Sequence, residues 1–225
     1  MKNVWSFGCS FSSGYLDVKR EDTYCSLLAK DLGFKSNNFA EPGFCNERIF
    51  NTLTSNLDKI KTGDVVIYQF TFFNRIGLFK DKNNIHTYVS SAGLPDFGIE
   101  HKMKEESYSG LSYDEVSALL DFTITWQDRR FLFTYTNPIN TLNFLKKTKK
   151  TKNFIIFLQK EENINLDNVL LFPFKNNLEN TSWIDYISKK KLTIDSEFPK
   201  KYKNDGHPGF KAHIDLKNKI LKELK

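Results

Sequence analysis

Cysteine is scarce in this sequence, and its spacing does not match a zinc site. The three cysteines, Cys9, Cys25 and Cys45, form no C-x-x-C pair and no Cys/His group. Their odd number also argues against a disulfide framework. We therefore expect free thiols in a reducing compartment, and nothing in the sequence implies a metal ion or an organic cofactor.

Long hydrophobic runs are also missing. No segment approaches the roughly 20 apolar residues that cross a bilayer, and the first residues, MKNVWSF, lack the apolar core of a secretory signal. We expect no signal peptide and no membrane span, and a location in the cytoplasm or in a virion. Lysine far outnumbers arginine, a bias that suggests an AT-rich genome such as that of a phage or a low-GC bacterium.

Positive charge is in moderate excess, with a net charge of +6, and much of it lies in KKTKKTK at 146–152. A basic run can contact nucleic acid, but no recognised nucleic-acid-binding motif accompanies this one. Lysines at a helix end also interact favourably with the helix dipole and keep the surface solvated. We favour this second role and expect no nucleic-acid partner.

The chain has the length of one domain. Its 225 residues, of which 40% are hydrophobic, suffice for one core and are few for two ordinary domains. We predict a single domain over 1–225 with an insertion over 76–152, because that interval is too long for one crossover between strands. The sequence does not predict an oligomeric state.

Apolar strand-like runs alternate with helical patterns along the chain. This alternation predicts βαβ units and an α/β fold with a mostly parallel sheet. A helix is expected at 23–33, ending at Gly33, another through about Leu57, and an amphipathic helix at 209–224. The predicted strands are 3–7, 36–40, 64–70, 153–158 and, as a possible fifth, 168–174.

The stretch FGCSFSSG at 7–14 places Ser10 on a tight turn directly after the first predicted strand. Gly and Ser are common turn formers, so the cluster has a purely structural interpretation. A serine at the carboxyl end of a parallel strand also lies where open α/β sheets keep their active sites. Both interpretations remain open on this segment alone.

Two further segments carry candidate chemistry. NDGHPGFKAH at 204–213 contains Asp205 and His207, an acid and a base that a hydroxyl nucleophile would need, although Pro208 also suits an ordinary helix start. NNFAEPGFCNERI at 37–49 contains Gly43, whose N–H could face a developing oxyanion, although Pro-Gly is also the usual pair for a type II turn.

Taken in order, these three segments resemble the SGNH (GDSL-like) hydrolases. The resemblance implies a three-layer α/β/α sandwich with a five-stranded parallel sheet. It implies that Ser10 is the nucleophile, with Cys9 in place of the usual Asp, and that its own N–H and that of Gly43 contribute to the oxyanion hole. Asp205 and His207 would be the acid and the base.

The sequence departs from the family pattern at two places. An Asp often stands three residues before the His, whereas here Asn204 holds that place and Asp205 stands two before. The usual Gly-x-Asn-Asp after the third strand is absent, and the chain reads YQFTFFNR at 68–75. Thr71 or Asn74 could supply the side-chain oxyanion donor, or no residue does.

The resemblance implies a serine esterase that acts through an acyl-enzyme on a small-molecule or polysaccharide ester, with O-acetyl groups on carbohydrate as the specific hypothesis. The alternative is a non-catalytic glycan-binding or virion structural protein on a degenerate SGNH fold. A lipid-interface enzyme is a third possibility. We also hypothesise that part of the insertion forms one wall of the substrate cleft. Four of its aromatic residues could stack on sugar rings: Tyr88, Phe97, Tyr108 and Trp126.

Overall fold

The computed structural model describes residues 1–72, 75–79, 85–89, 132–158 and 182–225. In these ranges the strands are β1 Asn3–Phe7, β2 Lys35–Asn38, β3 Val65–Phe70, β4 Arg75–Phe79, β5 Ile85–Val89 and β6 Lys152–Phe157. The α-helices are α1 Ser10–Ser13, α2 Tyr24–Leu32, α3 Asn46–Thr54, α4 Asn137–Lys149, α5 Trp183–Lys189, α6 Ile194–Glu197 and α7 Phe210–Leu224. A 3₁₀ helix spans Arg20–Asp22 and a π-helix spans Leu132–Thr136.

The main sheet is parallel. In the described part of the chain its strand order is β2-β1-β3-β6, and all three strand pairs are parallel. Every residue of β1 and β3 is buried, so both faces of the sheet are covered. The predicted α/β fold with a mostly parallel sheet is confirmed, and the possible fifth strand at 168–174 lies outside the described residues.

Element boundaries differ slightly from the sequence-based ones. β2 runs over Lys35–Asn38 rather than 36–40, and β3 begins one residue later than predicted, since Asp64 precedes it. Gly33 ends α2 with a left-handed φ of +66°, a conformation that glycine adopts without steric cost. Helix α3 ends at Thr54, short of Leu57.

The described parts of 76–152 fall into two pieces. β4 and β5 pair in antiparallel fashion, a hairpin that the sequence pattern did not predict. Helix α4 buries Leu142 and Leu145, and the Lys149 ammonium near its end donates to the carbonyls of Leu57 and Ile60, at 2.6 Å each. Of the proposed cleft aromatics, Tyr88 is described only through its β5 backbone, and Phe97, Tyr108 and Trp126 lie outside the described residues.

The carboxyl ends of β1 and β3 meet at one edge of the sheet, because the two strands are parallel and neighbouring. Ser10 follows β1 and Thr71 follows β3 at this edge. Within the described ranges, no helix combines the length and the apolar character needed to cross a membrane.

Candidate functional site

Ser10 opens the short helix α1 directly after the buried strand β1. The N–H groups of Ser12 and Ser13 both donate to the Cys9 carbonyl, at 2.9 and 3.1 Å, which closes the turn. A Cβ at Gly8, before the turn, would lie 2.6 Å from Gln69 Oε1 and 2.9 Å from Ser12 Oγ, so a side chain there would force these groups to shift. The turn thereby holds Ser10, which is 4% exposed, at the carboxyl edge of the sheet.

His207 lies between Ser10 and Asp205. Its Nε2 is 2.9 Å from Ser10 Oγ, and its Nδ1 is 2.7 Å from Asp205 Oδ1. The same carboxylate oxygen accepts the backbone N–H of His207 at 2.9 Å. A hydroxyl, an imidazole and a carboxylate in this order can deprotonate the hydroxyl and stabilise the resulting imidazolium.

The loop that carries His207 is tied to the segment before α6. The His207 carbonyl accepts from the Ile194 N–H at 2.7 Å, and Thr193 forms an antiparallel bridge with Pro208. Asn204 is exposed, with a left-handed φ of +56°, which asparagine tolerates better than most residues. Of the two candidate positions for the acid, it is therefore Asp205 whose side chain contacts the imidazole.

Two aromatic rings contact the imidazole of His207. Tyr15 stacks on it with ring centroids 4.2 Å apart and an interplanar angle of 29°, and Phe11 lies at 4.7 Å and 33°. Phe11 is itself held by edge-to-face contacts with Phe72 and Trp183. Packing thus restrains the imidazole ring in addition to its hydrogen bonds.

A buried chain of hydrogen bonds runs beneath the Ser10 turn. The Tyr24 hydroxyl pairs with Ser6 Oγ at 2.9 Å and donates to Ser12 Oγ at 2.7 Å, and Ser12 in turn donates to Gln69 Oε1. The Gln69 amide donates to Cys9 Sγ at 3.2 Å. Burial raises the pKa of the Tyr24 phenol, so that it remains a neutral donor. The chain fixes the turn to both α2 and β3.

The loop with Gly43 approaches the Ser10 turn through its backbone. The Glu41 N–H donates to the Gly8 carbonyl at 3.3 Å, and Arg20 donates to the Ala40 carbonyl and to the Glu41 carboxylate. Gly43 has a φ of +78°, so a side chain there would strain the backbone. This conformation sets the direction of the amides in the loop.

Thr71 is held on three sides. The Asn46 side chain accepts the Thr71 N–H at 2.8 Å and donates to its carbonyl at 3.2 Å. Arg75 donates to Thr71 Oγ1 at 3.2 Å. Within the described part of the chain, nothing accepts the proton of this hydroxyl, which belongs to a residue only 3% exposed. Asn74, the other candidate donor, lies outside the described residues.

The described residues offer no evident metal site. Among them, no group of three or more His, Cys, Asp and Glu side chains is arranged to hold a metal ion. All three cysteines are buried free thiols, and burial raises the pKa of Cys25 to about 12, which disfavours the thiolate that binds metals.

Comparisons with known proteins give likenesses in structure only. No protein-family model matches the chain, and no curated protein matches it. Among solved structures, it is similar to a lipase/acylhydrolase from Enterococcus faecalis, with 11% identity, a TM-score of 0.48, and coverage of 100% of this chain and 95% of the other. A protein assigned as an SGNH hydrolase from Slackia heliotrinireducens gives 10% identity and a TM-score of 0.43, over 100% and 99% of the two chains.

A carbohydrate esterase family 2 enzyme from Corynascus thermopiles (Myceliophthora fergusii) matches at 11% identity and a TM-score of 0.44, over 99% of this chain and 65% of the other. The solved structures that the chain resembles thus include SGNH proteins, the family that its motifs resemble. The chemistry proposed for this chain depends on the geometry of the site itself.

Several contacts in the site were not found from the sequence. Gln69 is the one polar residue inside β3, and a buried amide in an apolar strand is a signal of a hydrogen-bonding role. Asn46, Tyr15 and Tyr24 carry no such signal, because asparagine at a helix start and aromatic residues near a core are ordinary.

Proposed function

We propose that the protein is a serine esterase that works through an acyl-enzyme. The observation that carries this proposal is the continuous series from Ser10 Oγ to His207 Nε2 and from His207 Nδ1 to Asp205 Oδ1, with hydrogen-bond lengths of 2.9 and 2.7 Å. Each group lies in direct reach of the proton it would handle.

In the proposed mechanism, Ser10 Oγ attacks the ester carbonyl carbon as its proton passes to His207 Nε2. Asp205 keeps the other imidazole proton on Nδ1 and stabilises the imidazolium. Collapse of the tetrahedral intermediate breaks the bond to the alcohol, which leaves with the proton from Nε2. Water then attacks the acyl-Ser10 ester by the same route and releases the acid.

We propose three donors to the oxyanion: the N–H of Ser10, the N–H of Gly43 and the hydroxyl of Thr71. Ser10 occupies the first position of α1, where a helix amide has no intrahelical acceptor. Arg75 occupies an acceptor site of Thr71 Oγ1, which leaves the hydroxyl proton available to a substrate. We expect Thr71→Val to lower kcat about a hundredfold, the typical cost of losing one oxyanion donor.

The substrate class rests on the motif resemblance, which implies small acyl esters or O-acetyl groups on carbohydrate. We propose acetyl esters, and acetylated polysaccharide among them, as the first substrates to test. Fold likeness alone does not define a substrate. The walling of the cleft by the insertion remains a prediction.

The test is hydrolysis of p-nitrophenyl acetate by wild type, Ser10→Ala and Ser188→Ala. Ser188 is an exposed serine in α5 and serves as the matched control. We expect Ser10→Ala to lose about a thousandfold or more in rate and Ser188→Ala to keep wild-type turnover.

A fluorophosphonate reagent should transfer its phosphonyl group to Ser10 Oγ with loss of fluoride, as read by peptide mass. Turnover and labelling that survive Ser10→Ala would overturn the nucleophile assignment. Binding of a glycan by a wild type that neither turns over nor labels would support the non-catalytic alternative.

A further inference from the structure

The imidazole of His207 contacts two aromatic rings. Tyr15 stacks on it at 4.2 Å with an interplanar angle of 29°, and Phe11 lies at 4.7 Å, tilted by 33°. Among the described rings, these two contact the imidazole but not each other. Two rings this close to the same face of the imidazole would touch each other, which indicates that they lie on opposite faces.

The chain turns sharply to place Tyr15 there. Gly14 ends α1 with a φ of +81°, and a Cβ at Gly14 would lie 2.8 Å from the Val18 carbonyl oxygen. The turn brings Tyr15 over the face of the imidazole opposite Phe11. Phe11 is buried, whereas Tyr15 is partly exposed, so Tyr15 is the half of the sandwich that can be changed with less disturbance of the core.

Stacked aromatic rings act on an imidazole in two ways. They restrict its rotation, so that Nε2 stays on Ser10 and Nδ1 stays on Asp205. Their negative π faces also attract a cation, and the imidazole becomes one when it takes the Ser10 proton. The ground state is neutral and gains less, so the attraction favours the transition state.

We propose that Tyr15 is a positioning residue that, with Phe11, clamps the His207 imidazole and stabilises its protonated form during ester hydrolysis. The inference rests on the proposed esterase function. It requires the ring of Tyr15 and not its hydroxyl. Tyr15→Phe is therefore the conservative variant, and Tyr15→Leu removes the π face while retaining an apolar side chain.

The experiment compares kcat and KM for p-nitrophenyl acetate in wild type, Tyr15→Phe, Tyr15→Leu and Tyr202→Leu. Tyr202 packs edge-to-face against Phe198 instead, at an interplanar angle of 87°, and is the matched control for loss of a tyrosine ring. We expect Tyr15→Leu to lower kcat about tenfold, between the scales of an exposed and of a desolvated cation–π contact, with KM little changed. Tyr15→Phe and Tyr202→Leu should stay within about twofold of wild type.

A second readout is independent of turnover. The proton that Nδ1 shares with Asp205 gives a far-downfield NMR resonance when the imidazole is held in place. This resonance should persist in Tyr15→Phe and Tyr202→Leu and broaden or vanish in Tyr15→Leu, in folded protein verified by circular dichroism.

Two outcomes would contradict the positioning role of Tyr15: that Tyr15→Leu keeps both the resonance and kcat, or that Tyr15→Phe lowers kcat as much as Tyr15→Leu does. If Ser10→Ala hydrolyses as fast as wild type, the esterase proposal fails, while the resonance still decides whether Tyr15 orients the imidazole.

Discussion

Asp64 and Asp205 lie at opposite edges of the same sheet, and their different surroundings give the same carboxylate group two different roles. Asp64 precedes β3 at the amino edge and is fully buried. It accepts from the Asn3 N–H at 2.8 Å, the Trp5 indole at 2.7 Å and the Lys61 N–H at 2.9 Å. Asp205 lies at the carboxyl edge, where its side chain is 23% exposed and contacts a titratable imidazole.

The difference lies in what the partners can do. The donors around Asp64 are amides and an indole, which never give up their protons near neutral pH, so this carboxylate only ties the start of β1 to the start of β3. The partner of Asp205 can gain and lose a proton next to a serine. We therefore expect changes at Asp64 to alter stability and changes at Asp205 to alter rate.

Asp205→Asn should have the largest effect on this contrast. An asparagine amide would donate to His207 Nδ1 and leave the ring proton on Nε2, which then cannot accept the Ser10 proton. We expect kcat to fall by about four powers of ten, the cost of this change at the orienting carboxylate of a Ser-His-Asp triad, with little change in melting temperature. Asn204→Ala is the neighbouring control; if it costs more activity than Asp205→Asn, the acid is misassigned.

Asp64→Asn should show the reverse pattern. The Trp5 indole and the Lys61 N–H both donate to Asp64 Oδ2. If the asparagine at position 64 keeps its amide oxygen toward the Asn3 N–H, its NH2 group faces these two donors. The buried Trp5 indole and the part-buried Lys61 N–H then lose their acceptor, and we expect the free energy of unfolding to fall by about 3 kcal/mol. Urea unfolding measures this, with the exposed Asp58→Asn as control. A kcat per folded molecule that dropped as far as in Asp205→Asn would erase the contrast between the two edges.

The sequence was sufficient for contacts that are local or repeat along the chain. The strands at β1, β3 and β6 follow from mostly apolar runs, and the end of α2 follows from Gly33. The proximity of Ser10 to His207 was expected only through the ordered motifs, since the residues are far apart in sequence. The contacts of Asn46 with Thr71, and of Tyr15 with His207, depend on loop conformations that no periodicity encodes.

Gly8→Ala tests whether the turn that carries Ser10, at the carboxyl edge of the sheet, must stay fixed for activity. The added Cβ would lie 2.6 Å from Gln69 Oε1 and 2.9 Å from Ser12 Oγ, so the hydrogen-bond chain beneath Ser10 must shift. We expect a loss of about 2 to 3 kcal/mol in the free energy of unfolding, the upper range for overpacking, together with a lower kcat. Gly33→Ala strains a left-handed residue but meets no atom within 4 Å, so it should lose stability and retain kcat. Equal kcat in both variants would mean that the turn tolerates displacement.

The smallest expected effect is on the pH dependence of the free energy of unfolding, and it comes from His213. Like the two aspartates, His207 and His213 are the same residue type in different surroundings. His207 has an acid partner, whereas His213 is buried against Tyr24 and Trp183 and accepts the Tyr24 N–H at the start of α2, at 3.3 Å. Burial lowers the pKa of His213 to about 3, against about 6.5 in an unfolded chain.

Between these two pH values the unfolded state binds a proton that the folded state does not, so the free energy of unfolding falls as the pH falls from about 6.5 toward 3. From pH 7 to pH 5 we expect His213 to cost about 2 kcal/mol, at about 1.4 kcal/mol per pH unit below 6.5. His213→Asn keeps an acceptor for the Tyr24 N–H but binds no proton. It should be less stable than wild type at pH 7, yet lose less of its stability between pH 7 and pH 5 in urea titrations. An equal loss in both proteins would show that His213 is not the group whose protonation opposes folding.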